Sequence, residues 1–204
     1  QLRRKSCSCV CNGGGVAVGD LNGDGLEDLF FTGNQVDNRL YINRGNLRFE
    51  EVSELANVQK PSSILWSSGV NILDLNLDGK LDIYVCNTLQ DAPEDRRNLL
   101  YINQGNNEDE IPTFTEMGLA YGVADTSHSS HAQFFDYDND GDLDLFVGVN
   151  VIEGRYPNQF VDIKLDGTGQ NRDNLFQNNW DEALGHPVFS DVSLAAGLLQ
   201  DGYS

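Results

Sequence analysis

Asp136-Tyr137-Asp138-Asn139-Asp140-Gly141-Asp142-Leu143-Asp144 places five carboxylates in nine residues, with one glycine at the sixth position. Like charges at that density repel one another and resist a compact turn unless something compensates them. A hard cation does so, because Ca²⁺ takes six to eight oxygen ligands in flexible geometry. Side chains at positions 1, 3 and 5 (Asp136, Asp138, Asp140) can converge on one ion, and Gly141 supplies the sharp turn. The carbonyl of Asp142 can add an oxygen, with its own side chain turned away, and Asp144 at position 9 can close the shell.

The string occurs twice more, as Asp20, Asn22, Asp24, Gly25, Asp28 and as Asp74, Asn76, Asp78, Gly79, Asp82. Leu26 and Lys80 then stand where Asp142 stands, each as a backbone-carbonyl donor. An EF-hand loop requires a bidentate Glu at position 12. Phe31, Val85 and Val147 occupy those positions, so the loops are not EF-hands. Asp/Asn/Gly clusters also make plain hairpin turns. A plain turn has no need of an oxygen side chain at positions 1, 3, 5 and 9 in three copies, which favours three Ca²⁺ sites.

The loops start 54 and 62 residues apart, and each is embedded in the same order of short apolar segments. The first repeat predicts strands at 16–19, 29–32, 38–43 and 49–52. The second predicts 69–73, 81–86, 98–103 and 114–117, and the third 132–135, 143–149, 174–178 and 189–192. Four short strands at this period read as blades of an all-β propeller, each a four-stranded antiparallel sheet. The first two strands of each blade are expected to be buried on both faces, which explains apolar runs without alternation. The divisions are a lead-in at 1–11, blades at 12–58, 59–123 and 124–198, and the start of a following blade at 199–204. Propellers close with four to eight blades. The chain is therefore expected to continue into the remaining blades, or else three-blade protomers assemble into a ring.

The loops resemble the FG-GAP or VCBS repeats of integrin α-subunit propellers. The fuller pattern is similar to the cartilage acidic protein/UnbV group. It combines Asn12-Gly13-Gly14-Gly15-Val16-Ala17-Val18-Gly19-Asp20, the Asn-x-Leu-Tyr-x-Asn-x-Gly motif at 38–45 and 98–105, and Phe189-Ser190-Asp191-Val192-Ser193-Leu194-Ala195-Ala196-Gly197-Leu198. The resemblance covers residues 12 to about 198. The third repeat departs from it with Phe176 in place of Tyr and without the following Gly. The second departs with Phe114-Thr115-Glu116-Met117, which lacks Asp-Val-Ser.

Formal net charge is −19, from 13 basic and 32 acidic residues, which disfavours nucleic acid and anionic membrane as partners. No apolar run approaches a membrane-spanning helix, so direct membrane insertion is not expected. Residue 1 is Gln rather than Met, so the start of the gene product, with any leader, is expected to be missing. Weak calcium sites fill where calcium is plentiful, which points to an extracellular or cell-surface setting, or to the periplasm. Cys7, Cys9, Cys11 and Cys86 permit three pairings. Buried or unpaired cysteines are favoured over one disulfide or a soft-metal site.

A catalytic constellation is not legible. His128-Ser129-Ser130-His131 could hold a transition metal, but a channel-lining His beside a solvent-facing one explains it better. No G-x-S-x-G, HExxH or phosphate-cradling loop occurs. Gly13-Gly14-Gly15 is better explained by close packing than by nucleotide binding. The reading is a calcium-stabilised extracellular binding module for a protein or glycan, not an enzyme. A propeller within a secreted carbohydrate-active enzyme and a structural spacer are the alternatives. In an up-and-down blade the second-to-third connections emerge opposite the acidic loops. The longest of them, 151–173, carries Arg155, Tyr156 and Phe160 as candidate partner contacts, since Tyr and Arg are favoured interface anchors; a solvated insertion packed on itself is the other reading.

Overall fold

The computed structural model describes residues 14–150 and 164–201. Three four-stranded antiparallel sheets follow one another along the chain, each in simple up-and-down order. The first contains β1 (Val16–Gly19), β2 (Asp28–Phe31), β3 (Arg39–Asn43) and β4 (Phe49–Glu51). The second contains β5 (Trp66–Leu73), β6 (Asp82–Thr88), β7 (Leu99–Asn106) and β8 (Pro112–Glu116). The third contains β9 (Ser129–Phe135), β10 (Asp144–Val149), β11 (Asn174–Asp181) and β12 (His186–Asp191). There is no α-helix among the described residues; a single 3₁₀ turn, Pro93–Arg96, sits between β6 and β7. The protein is all-β, with three sheets built as propeller blades.

The middle blade shows why the strands carry unbroken apolar runs. Successive side chains of a strand point to opposite faces, and both faces of this blade are covered. Ile83 and Val85 of β6, with Leu99 and Tyr101 of β7, pack with Phe30, Leu40 and Ile42 of the first blade. The intervening Tyr84, Cys86, Leu100 and Ile102 pack with Leu145, Val147, Phe176 and Phe189 of the third. All seven residues of β6 are buried.

The expectation that the first strand of each blade is buried on both faces needs correction. β1, β5 and β9 all contain half-buried or exposed positions. Each lies at the edge of its sheet, with a hydrogen-bonded strand on one side only. In β1, Val16 and Val18 are more than half exposed, and no other sheet covers them among the described residues.

These inner strands instead approach one another very closely. Gly15 N donates to the Ser68 carbonyl at 2.8 Å, and Ser68 Oγ donates to the Ser129 carbonyl at 2.8 Å. A Cβ on Gly15 would stand 2.6 Å from the Ser68 carbonyl oxygen, and one on Gly69 2.9 Å from His131 Cα. Close packing accounts for Gly14 and Gly15; Gly13 lies outside the described residues.

The fourth strand is tied to the third by one recurring bond. Ser53 Oγ accepts from Leu40 N at 2.8 Å, and Ser193 Oγ accepts from Leu175 N at 2.9 Å. The second blade has Gly118 in that place, and Glu116 Oε1 substitutes by accepting from both Leu100 N and Gly118 N. The departure in sequence is a change of acceptor, not of architecture.

Leu40→Ala and Leu145→Ala each empty a fully buried site, in two separate inter-blade cores. Each is expected to cost about 2–5 kcal/mol. Because the sites share no partners, the double variant should lose the sum to within roughly 0.5 kcal/mol in denaturant melts.

Candidate metal centre

Each acidic loop joins the first strand of its blade to the second, so its ends are held at a hairpin's spacing. Three loops of different sequence adopt one backbone. The sixth residue has positive φ in all of them (Gly25 84°, Gly79 83°, Gly141 98°), and so does the fourth (Gly23 75°, Leu77 59°, Asn139 63°). The sixth position was legible as glycine. The fourth was not, since Leu77 accepts a left-handed conformation that disfavours any residue with a Cβ.

The loop's own amides hold its carboxylates. At position 1, Asp20 accepts from Asp24 N and Gly25 N. Asp74 accepts from Asp78 N and Gly79 N, and Asp136 from Asp140 N and Gly141 N, all at 2.8–3.2 Å. At position 5, Asp24, Asp78 and Asp140 each accept the amide two residues on.

The ninth position does more. Asp28, Asp82 and Asp144 have no exposed surface. One oxygen of each accepts the amide of loop position 2: Leu21 at 2.9 Å, Leu75 at 3.1 Å, Tyr137 at 3.1 Å. The other accepts an amide of the third strand: Asn43 at 2.9 Å, Asn103 at 2.8 Å, Asn178 at 2.8 Å. The same three asparagines return a side-chain bond to the carbonyl of position 8 (Glu27, Leu81, Leu143) at about 3.1 Å. The spacing of Asn43, Asn103 and Asn178 behind each loop was visible in the sequence, but their function as loop anchors was not.

In the third loop, carboxylate oxygens of Asp136, Asp138 and Asp144 lie within 4.8 Å of one another, the one such trio among the described residues. Asp140 is not in it; its Oδ1 accepts from Asp142 N. The first two loops carry an amide at position 3, where Asn22 and Asn76 accept from Asp24 N and Asp78 N. In the second loop Lys80 Nζ reaches Asp78 at 2.7 Å, placing an internal cation on the position-5 carboxylate. The donor sets are all oxygen, hard and acidic, as Ca²⁺ requires, and the third loop fits best.

Burial pushes Asp82 up to about 6, with neighbouring Asp78 and Asp74 adding to the rise and the Asn103 and Leu75 amides opposing it. Burial raises Asp28 and Asp144 as well. Asp142 is pushed up to about 6, by burial and then by Asp140 and Asp144. Its Oδ1 is buried without a hydrogen-bond donor.

The other candidates stand apart. His128 Nδ1 accepts from Leu89 N at 3.3 Å, whereas His131 Nδ1 meets its neighbour Ser130 Oγ; the two rings have separate partners. Cys86 is unpaired and buried, with its thiol pushed well up by burial, the opposite of an activated nucleophile. Cys7, Cys9 and Cys11, and Arg155, Tyr156 and Phe160, lie outside the described residues.

Residues 20–85 match the family model of the FG-GAP-like repeat. The chain carries an FG-GAP-like repeat. The match begins at position 1 of the first acidic loop and runs through the whole second loop into β6. No curated protein sequence matches this chain.

Raised carboxyl groups set the sign of the pH response without metal. The folded state holds the Asp82 proton more tightly than the unfolded chain does, so metal-free stability rises as pH falls from above 6 towards 4. Asp82 contributes on the order of 3 kcal/mol to that rise. Chelator-treated protein should melt higher at pH 5 than at pH 7.5, and Asp82→Asn should flatten the dependence.

Proposed function

We propose that this chain is a calcium-braced β-propeller binding module of an exported protein. The observation that carries the reading is the approach of Asp136, Asp138 and Asp144 within 4.8 Å, on a backbone that the other two loops reproduce. Such a gathering of like charge is costly without a counter-ion. FG-GAP repeats commonly hold calcium, and the matched stretch spans the first two acidic loops.

Asp136, Asp138, Asp140, Asp144 and the carbonyl of Asp142 would hold one ion. Asp20, Asn22, Asp24, Asp28 with the carbonyl of Leu26, and Asp74, Asn76, Asp78, Asp82 with that of Lys80, would hold two more. Each ion supplies positive charge to its loop and no chemistry. The chain's own contribution is mechanical: the position-9 carboxylate locks the loop to the third strand, and the stacked sheets hold the loops in a row. That arrangement suits an extracellular setting, where calcium is plentiful.

The buried polar groups between the second and third blades serve the packing of the module. Tyr84 donates to the Val123 carbonyl, and Asn98 donates to Tyr84 Oη and Ser129 Oγ, a satisfied network between the second and third blades. The partner is a protein or glycan. In the second blade the β6–β7 connection emerges opposite the acidic loop; the longest second-to-third connection in the sequence, 151–173, is the candidate partner segment. We read the whole motif set, at 12–20, 38–45, 98–105 and 189–198, as that of the cartilage acidic protein/UnbV group.

Calorimetric titration should count three Ca²⁺, with the third loop tightest because it presents four ligand carboxylates. Calcium should raise the melting temperature by mass action. Asp138→Ala should remove the tightest site and Asp142→Asn should retain it. Lys80→Gln should tighten the second loop about two- to threefold by removing an exposed competitor. Superimposable melting curves in calcium and in chelator would overturn the reading.

A further inference from the structure

A cleft of about 260 Å³ opens between the second and third acidic loops and the β11–β12 hairpin. It owes its existence to the third blade's departure from the repeat. In the first two blades the anchoring asparagine is followed two residues later by a glycine of positive φ (Gly45 74°, Gly105 92°). The glycine amide donates to the asparagine side chain, from Gly45 to Asn43 Oδ1 at 3.0 Å and from Gly105 to Asn103 Oδ1 at 2.8 Å. In the third blade that residue is Trp180. It stays in the strand, paired with Pro187, and β11 runs on to Asp181. Two consequences follow. Asn178, only 5% exposed, is left with a buried Oδ1 that has no donor. A tryptophan, 49% exposed, is set beside the loops.

The walls are otherwise Leu75, Leu77, Leu143 and Pro187, with Leu77 75% exposed. Asp74 and Asp142 also line the cleft. Asp142 lies outside the trio that gathers in its own loop, and its Oδ1 also lacks a donor. Both unsatisfied polar atoms among the lining residues are therefore acceptors, while Asn178 Nδ2 donates to the Leu143 carbonyl. The five carboxylates of the third loop outweigh the charge of one divalent ion, so the cleft remains electronegative with calcium bound. The hairpin that carries Trp180 is held to the second blade: His186 stacks on Tyr121 with ring centroids 4.3 Å apart and planes 10° from parallel.

We propose that this cleft receives a single arginine side chain of a protein partner. A guanidinium is a planar, donor-only cation that stacks on tryptophan and bonds a carboxylate with two N–H groups. Its methylene stem matches the leucine and proline walls. The volume lies below the roughly 300–1,000 Å³ of small-molecule sites, which favours one inserted side chain over a free ligand or a saccharide unit. The site extends the binding-module reading and lies at the acidic-loop end of the sheets.

The test is a titration of ¹⁵N-labelled protein in calcium with acetyl-Gly-Arg-Gly-amide, followed by NMR. The control peptide is acetyl-Gly-citrulline-Gly-amide, a neutral isostere. The arginine peptide should saturably shift the Trp180 indole N–H and the Leu77 and Leu143 amides, and the citrulline peptide should bind at least about tenfold more weakly. Asp142→Asn and Trp180→Leu should each weaken arginine binding about tenfold, read at Leu77 and Leu143, with calcium-dependent melting retained. Equal binding of the two peptides, shifts spread over the acidic surface, or unchanged affinity in both variants would overturn the proposal. So would saturable shifts with maltose and none with the arginine peptide. Calcium-dependent melting measured on the same samples separates these failures from a failure of the calcium reading.

Discussion

Every blade hangs on a buried aspartate that accepts two backbone amides, one from its own loop and one from the third strand. Asp28, Asp82 and Asp144 are withdrawn from solvent and meet only neutral donors. Burying a carboxylate costs several kcal/mol unless a charge compensates it, and neutral amides do so only in part, as the raised pKa of Asp82 shows. The fold therefore carries a deficit at the ninth position of each loop, and the other acidic residues of the loop stand where a cation would meet it. Structure and metal chemistry are one problem here. The carboxylate that would close the shell of an ion is also the one that sets the register of the third strand against the second.

The second constraint is the approach of the inner strands. A blade alone would expose two apolar faces; stacked, the middle blade buries both, and β6 is enclosed at every position. That enclosure requires β1, β5 and β9 to come within hydrogen-bonding distance, which the backbones of Gly15 and Gly69 permit. The acidic loops of consecutive blades are thereby set side by side. Asn103 Nδ2 of the second blade donates across to the Leu21 carbonyl of the first loop at 3.0 Å, and Asn106 Nδ2 to that of Asn22 at 2.7 Å. The first loop is thus coupled to the next blade as well as to its own.

Much of this was legible from period and residue type. Carboxylates at alternating positions, glycine at the sixth and the repetition of the whole string identify the loops, and four apolar segments per repeat identify the blades. What escaped was whatever depends on where a backbone amide ends up. Nothing in a single Asp or Asn says that Asp28 accepts the Asn43 amide from the third strand while the Asn43 side chain donates to Glu27. Glu116 looked like a lost serine motif and proves to supply the missing acceptor. The first strands looked fully buried because their residues are apolar, yet an edge position leaves β1 half open. Trp180 looked like a missing glycine. Only the extended hairpin shows that it builds a cleft and leaves Asn178 Oδ1 without a donor.

In the proposed calcium-bound protein, an ion in each loop would complete a brace running through the ninth aspartate to the third strand. Hydrogen exchange of the six amides on those aspartates reads it directly: Leu21, Leu75 and Tyr137 in the loops, and Asn43, Asn103 and Asn178 in the strands. With calcium replacing chelator at constant pH, all six should exchange at least about tenfold more slowly, a gain of roughly 1.4 kcal/mol in local opening. The effect should be largest at Tyr137 and Asn178. Unchanged exchange at these six amides on adding calcium, with protection altered elsewhere or not at all, would contradict the account.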